Sequence, residues 1–153
     1  MQHQVQYPEY HHRDKEEEKF LALWLYDFHQ IMNRNQEQAY NFAIFYIHLE
    51  AWDYALQVLL QAPSNLAKDW LQLEVLLQCR LFIECLGEVD RVEARYSDDP
   101  ETSFSATYCR VRALFGLGQK SLAIESLQSI AEVRPNYRSI KTLLREWVGE
   151  RAG

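Results

Sequence analysis

The places where this chain stops being helical constrain its fold most. Apolar residues recur at helical spacing in run after run. The runs are parted by short breaks at Asn33, Arg34 and Asn35, at Pro63, Ser64 and Asn65, at residues 97–99, at Gly116, Leu117 and Gly118, and at Pro135 and Asn136. Only 5 Gly and 4 Pro punctuate the 153 residues, so little else interrupts a helix. Abundant Leu, Ala, Glu and Gln lose little rotamer freedom in helices and favour them. No segment alternates at period two, so no strand is predicted. The pattern predicts helices over 13–32, 36–48, 52–62, 66–79, 82–96, 100–115, 119–133 and about 137–148. Breaks this short make sequential helices antiparallel neighbours. The fold class expected is all-α, one domain over 13–149 behind a poorly ordered polar leader at 1–12.

The ends of these helices carry recognisable signals. Asp14, Glu16, Glu17 and Glu18 crowd the first turns of the opening helix, where negative charge complements the dipole. Asn33 suits a left-handed C-terminal position, and Asn35 suits the next N-cap. Asp99 before Pro100 pairs a capping oxygen with a ring whose missing N–H is not needed. In the opening helix Phe20, Trp24, Phe28 and Ile31 share one stripe, and Leu21, Leu25 and Met32 share the next. That arc is wide for a surface helix, so it is either covered on two sides or partly a docking surface.

The pairs repeat. Ala55, Leu59 and Ala62 match Ala123, Leu127 and Ile130, and Ala55 and Ala123 lie 68 residues apart. Twelve residues before each Ala stand Ala43 and Val111, and three further on stand Tyr46 and Leu114. Periods of 20–50 residues mark stacked helical units. With Phe42 in the first unit, and Gly118 and Pro135 in the third, the pattern resembles the tetratricopeptide repeat (TPR), a helix-turn-helix of about 34 residues. Arg110 departs from it, standing where the pattern wants a large apolar side chain; it is expected to snorkel or to pair with an acid such as Glu88 or Glu93. Two frames fit the middle unit. One sets Trp70, Leu73 and Leu77 on the pattern with Glu74 at the small position. The other, at strict 34-residue spacing, places Leu73, Leu76 and Leu77 in the core and Val89 at the Ala site.

The resemblance implies a right-handed superhelical stack of about three antiparallel TPR-like pairs, at about 36–63, 66–97 and 100–135. An N-terminal helix precedes it and a capping helix at 137–149 follows. It also implies a concave groove lined by first-helix side chains. Carried over by position, the groove holds Glu37, Tyr40, Ile44, Ile47 and His48 in the first unit. The middle unit gives Leu71, Val75 and Gln78, and the third gives Ser105, Tyr108, Arg112 and Phe115. This lining is aromatic and aliphatic with one Arg, so an apolar, aromatic-anchored peptide or helix of another protein is the expected partner. The alternative is that these side chains pack on their neighbours or under the N-terminal helix. Trp24, Phe28, Leu143 and Trp147, on the terminal helices, are expected either to close the stack or to meet a second copy as a homodimer.

Charge and motif narrow the function. The net charge of −6 opposes general nucleic-acid binding, which draws its affinity from phosphate neutralisation. The charge is uneven, with acids gathered between Ile83 and Glu101 and bases from Arg134 onward; one of these patches could steer a charged partner. Cys79, Cys85 and Cys109 show no metal spacing, and an odd count fits reduced thiols in a cytoplasmic protein. His11 and His12 are adjacent and lack a third ligand, so no metal and no cofactor is expected. No basic n-region precedes an apolar core, so no signal peptide is expected. The longest apolar run, 20–26, is too short for a bilayer. No catalytic motif appears, and the Gly-x-Gly at Gly116–Gly118 lacks the strand that dinucleotide binding needs. The expected function is therefore a non-enzymatic adaptor or scaffold. The alternative is a small bacterial TPR chaperone for an exported or secretion-system client, which these proteins resemble in size, acidity and N-terminal helix.

Overall fold

A computed structural model describes residues 13–152, with side chains to residue 150, and among these the chain is all-helical. Eight helices follow in order: α1 Lys15–Met32, α2 Gln38–His48, α3 Trp52–Leu59, α4 Leu66–Gln78, α5 Phe82–Arg95, α6 Pro100–Gly116, α7 Lys120–Val133 and α8 Ile140–Ala152. The expected leader at 1–12, with His11 and His12, lies outside the described residues. No helix among those described is long and apolar enough to cross a membrane.

Three of the eight starts are fixed by side-chain caps. Asp14 accepts from the Glu17 N–H at 2.8 Å, Asn65 from the Lys68 N–H at 3.0 Å, and Asp99 from the Glu101 N–H at 2.9 Å with Pro100 behind it. Each satisfies one of the N–H groups a helix start leaves unpaired. Asn35 accepts from Glu37 at 3.2 Å, but α2 starts only at Gln38. Asn33 is not left-handed. Its φ is −60°, because the end of α1 tightens into a turn closed by the Asn35 N–H on the Ile31 carbonyl.

One turn recurs three times. Its first residue has φ, ψ of −91°, 3° at Leu49, −77°, −1° at Cys79 and −82°, 2° at Leu117. Its second is left-handed, with φ 55° at Glu50, 59° at Arg80 and 91° at Gly118. Its third has φ, ψ of −89°, 66° at Ala51, −90°, 65° at Leu81 and −81°, 56° at Gln119. The Ala51 N–H bonds the Tyr46 carbonyl, and the Gln119 N–H the Leu114 carbonyl, each at 2.9 Å. These are the closing bonds of a Schellman end.

The recurrence fixes the register. The left-handed residues lie 30 apart (Glu50 to Arg80) and then 38 apart (Arg80 to Gly118). The two intervals average the expected repeat, yet the middle turn stands four residues early. Cys85, not Val89, is therefore the counterpart of Ala55 and Ala123, and all three are fully buried. Val89 instead matches Leu59 and Leu127, also fully buried. On the first helices Leu73 matches Ala43 and Val111. The strict 34-residue frame, which put Val89 at the Ala site, misses Cys85, because strict spacing cannot absorb a four-residue shift. The shift moves a side chain only about 40° around a helix, so the hydrophobic pattern survives it.

Packing divides the chain into two compact units, Met1–Arg80 and Leu81–Gly153. The boundary falls inside the expected middle pair, where the sequence reading placed one continuous domain. In the first unit α1 packs on α2, α2 on α3 and α3 on α4. In the second α5 packs on α6, α6 on α7 and α7 on α8. Gly118 reverses the chain between α6 and α7. Gly116 has a different duty: it is helical, and a Cβ there would overlap the Phe82 ring that crosses it.

Candidate functional site

In the first unit α2 has three faces. Ala39, Ala43 and Tyr46 are fully buried. Phe42, Phe45 and Tyr46 meet α1: Phe28 stacks on Phe42 at 4.0 Å, and its ring meets Phe45 and Tyr46 edge-on at 5.5 and 5.6 Å. Trp24 adds an edge contact to Phe45 at 5.0 Å. The third face, half a turn away, carries Tyr40, Ile44 and Ile47, all half-buried, and the exposed His48. A shallow cleft runs beside Tyr40, edged by Glu37, Asn41, Ala62, Pro63 and Asn65. The rings of α1 thus sit opposite the Tyr40 face.

Polar contacts hold α1 there. Arg13 forks onto both carboxylate oxygens of Asp53 and reaches Glu18 at 3.3 Å, while its guanidinium lies 5.2 Å from the Tyr54 ring centre. Tyr54 donates to Glu18 at 2.5 Å, and Tyr46 donates to the Leu21 carbonyl at 2.9 Å. The hydrogen bonds that Arg13 donates to Asp53 hold it above the ordinary arginine range, against the cost of its burial. Burial, helped by Glu18, pushes the Tyr54 hydroxyl up to about 12.

The middle residues fall differently from the reading by position. Val75 is fully buried and corresponds to Phe45 and Ala113, so it is a core residue; Leu71 is half-buried and one place out of register. The turn at Cys79–Leu81 instead gives Trp70, Glu74 and Leu77 as the counterparts of Tyr40, Ile44 and Ile47. Gln78 stays half-buried and donates to Glu74 at 3.1 Å. Trp70, which the groove reading left out, is the ring that continues Tyr40.

In the second unit Tyr137 and α8 cover part of what was expected to be open: Tyr108 is buried, and Ser105, Arg112 and Phe115 are half-buried. Tyr108 is 6% exposed and meets Tyr137 edge-on at 5.7 Å. Phe115 stacks flat on Trp147, at 4.2 Å and 5°, with the Lys120 ammonium 5.5 Å from its ring centre. Trp147 is 6% exposed and Leu143 half-buried in the same core, so both close the unit from within rather than offer a surface to a second copy. At the other end Phe28 is likewise spent on Phe42, and Trp24 keeps 38% exposure.

Around Tyr108 the structure gathers arginines that sequence position did not. Arg112 and Arg138 lie 5.5 and 5.3 Å from its ring centre. Arg138 lies equally close to Tyr137, and Arg134 sits over both Phe104 and Tyr137 at 4.9 and 5.1 Å. One guanidinium nitrogen of Arg134 also donates to both Glu101 carboxylate oxygens, at 2.9 and 2.7 Å. Ser105 and Tyr137 share a hydroxyl–hydroxyl bond of 3.0 Å. The basic run after Arg134 was legible as charge. That it folds back onto α6 was not, because Arg138 reaches there from a loop.

Arg110 binds Glu93 and Asp90, each at 2.7 Å, whereas Glu88 pairs with Arg91. The large-apolar position of the repeat is thus filled by a guanidinium bridging α6 to α5. Cys79, Cys85 and Cys109 are buried, and burial pushes the Cys79 thiol up to about 12, where it carries no thiolate at neutral pH. No group of three metal-ligating side chains occurs among the described residues. Comparison with family models, curated proteins and solved structures finds no match to this chain.

Proposed function

We propose that this chain is a non-enzymatic protein-binding module of TPR-like type, an adaptor or scaffold. In this reading its hairpins follow one another in the right-handed stack that the resemblance implies, and its first helices hold a peptide or helix of another protein. The observation that carries the reading is the turn repeated at 49–51, 79–81 and 117–119. It puts Tyr40 and Trp70, two half-buried rings, at the same position of α2 and α4, while their counterpart on α6, Tyr108, is buried. Rings with a polar edge supply contact area at low entropic cost and recur as interface anchors. On α2 the contacts of α1 leave that face half-exposed, which supports a docking role for Tyr40, Ile44, Ile47 and His48.

A photo-crosslinking residue at His48, with Gln57 on α3 as the control position, tests this. Both side chains are exposed, so the melting temperature should not move. Crosslinks to one protein from His48 and none from Gln57 are expected in the native host. Equal crosslinking at both positions, or none at either, defeats the reading. If the captured protein is an exported one that is insoluble alone, the module is a chaperone rather than an adaptor.

A further inference from the structure

The geometry points to Arg138 as the centre of a site on the second unit that recognises a carboxylate carried by a partner peptide. This rests on the protein-binding reading and names the chemistry of what is bound. Arg138 is exposed, and its guanidinium lies over two rings, Tyr108 and Tyr137, at 5.3 Å from each centre. Its hydrogen bond is a long one, 3.4 Å to the Ser105 hydroxyl. A guanidinium has five N–H donors in a rigid fork, so most of its donor capacity still faces outward.

The backbone supports a purpose for this placement. Arg138 has φ 46°, in the left-handed region. A residue with a Cβ pays about 1 kcal/mol to stand there, and Gly would stand there at little cost. Such strain clusters at sites that bind. The neighbourhood suits an anion. Arg112 also lies near the Tyr108 ring, 5.5 Å from its centre, the Ser105 and Tyr137 hydroxyls adjoin, and α8 begins two residues later with its positive N-terminal end. Arg134, the third arginine, is already matched to Glu101 and does not compete. A single outward fork beside neutral hydroxyls matches a flat, singly charged carboxylate by two parallel bonds.

Two fluorescein-labelled peptides of equal length test the site on the full chain, one alternating leucine with glutamate and the other leucine with glutamine. Anisotropy should show the glutamate peptide binding about tenfold more tightly, with the preference shrinking at high salt. Arg138→Gln should bring the ratio close to one. Arg138→Gly should do the same while the melting temperature holds or rises, because Gly relieves the backbone. A preference that survives both variants overturns the inference, as does equal binding, or no binding, of the two peptides by the natural chain. Crosslinking from His48 that persists in Arg138→Gly leaves the protein-binding reading standing when this one fails.

Discussion

Both units end in a helix clamped by stacked rings, but they treat charge in opposite ways. In the first, Phe28 on Phe42 holds α1, and the one arginine at the cluster, Arg13, is matched to Asp53 and Glu18. In the second, Phe115 on Trp147 holds α8, and the arginines divide: Arg134 lies over rings and is matched to Glu101, whereas Arg138 lies over the Tyr108 and Tyr137 rings beside the Ser105 hydroxyl. The first arrangement removes charge from solvent and serves only to dock a helix. The second keeps a cation at the surface, steered by the negative ring faces beneath it. A closing device and a recognition device can therefore be built from the same residue types, and the position of the matching carboxylate separates them.

The largest expected effect tests whether the two clamps are equal. Tyr46 is fully buried, touches Phe28, Phe45 and Tyr54, and bonds the Leu21 carbonyl. Tyr46→Ala should cost about 4 kcal/mol, a large-to-small loss in a core that cannot collapse fully. Trp147→Ala should cost about 3 kcal/mol, because Phe115 and Leu143, which pack in the same core, are only half-buried and can close in on the space. Urea denaturation measures both, and trypsin should then cut at Lys141 and Arg145 only in the Trp147 variant. A Trp147 loss as great as that of Tyr46 would erase the difference between the clamps.

A smaller effect separates the matched arginine from an arginine at the surface. Arg13 and Asp53 are 19% and 18% exposed. Asp53→Asn leaves a largely buried cation short of its partner and should cost about 2 kcal/mol. Arg110 is 30% exposed and Asp90 70%, so Arg110→Leu should cost under about 1 kcal/mol, most of it gone at high salt. Equal losses, both insensitive to salt, would show that burial does not set the worth of these pairs.

Much of this was legible because helix signals are local. The starts at Leu66, Phe82 and Pro100 were readable from Asn65, Asp99 and the apolar spacing, and most other helix ends moved by no more than three residues. What failed was long-range. The four-residue displacement of the middle turn is carried by two left-handed residues, Glu50 and Arg80, that are not glycine, so composition does not flag them. That left Trp70 out of the groove residues and misplaced Leu71 and Val75. Arg138 was hidden for the same reason, since nothing in its sequence neighbourhood marks a left-handed loop that returns to α6.

The finest test concerns the turns themselves. If one geometry recurs three times, the residue it prefers is the same each time, and only the third turn has it. Glu50→Gly and Arg80→Gly place a residue without a Cβ where φ is already 55° and 59°. Each relieves strain but adds unfolded-state entropy, so a net gain of about 0.5 kcal/mol is expected. Gly118→Ala goes the other way. Nothing crowds a Cβ there, so its cost of about 1 kcal/mol comes from φ 91° alone. Thermal melts of the three variants measure the signs. Opposite signs support one shared turn. A gain from Gly118→Ala, or a loss from both glycine substitutions, would mean that side chains rather than backbone decide these positions, and the turn-based register of Trp70 and Cys85 would fall with it.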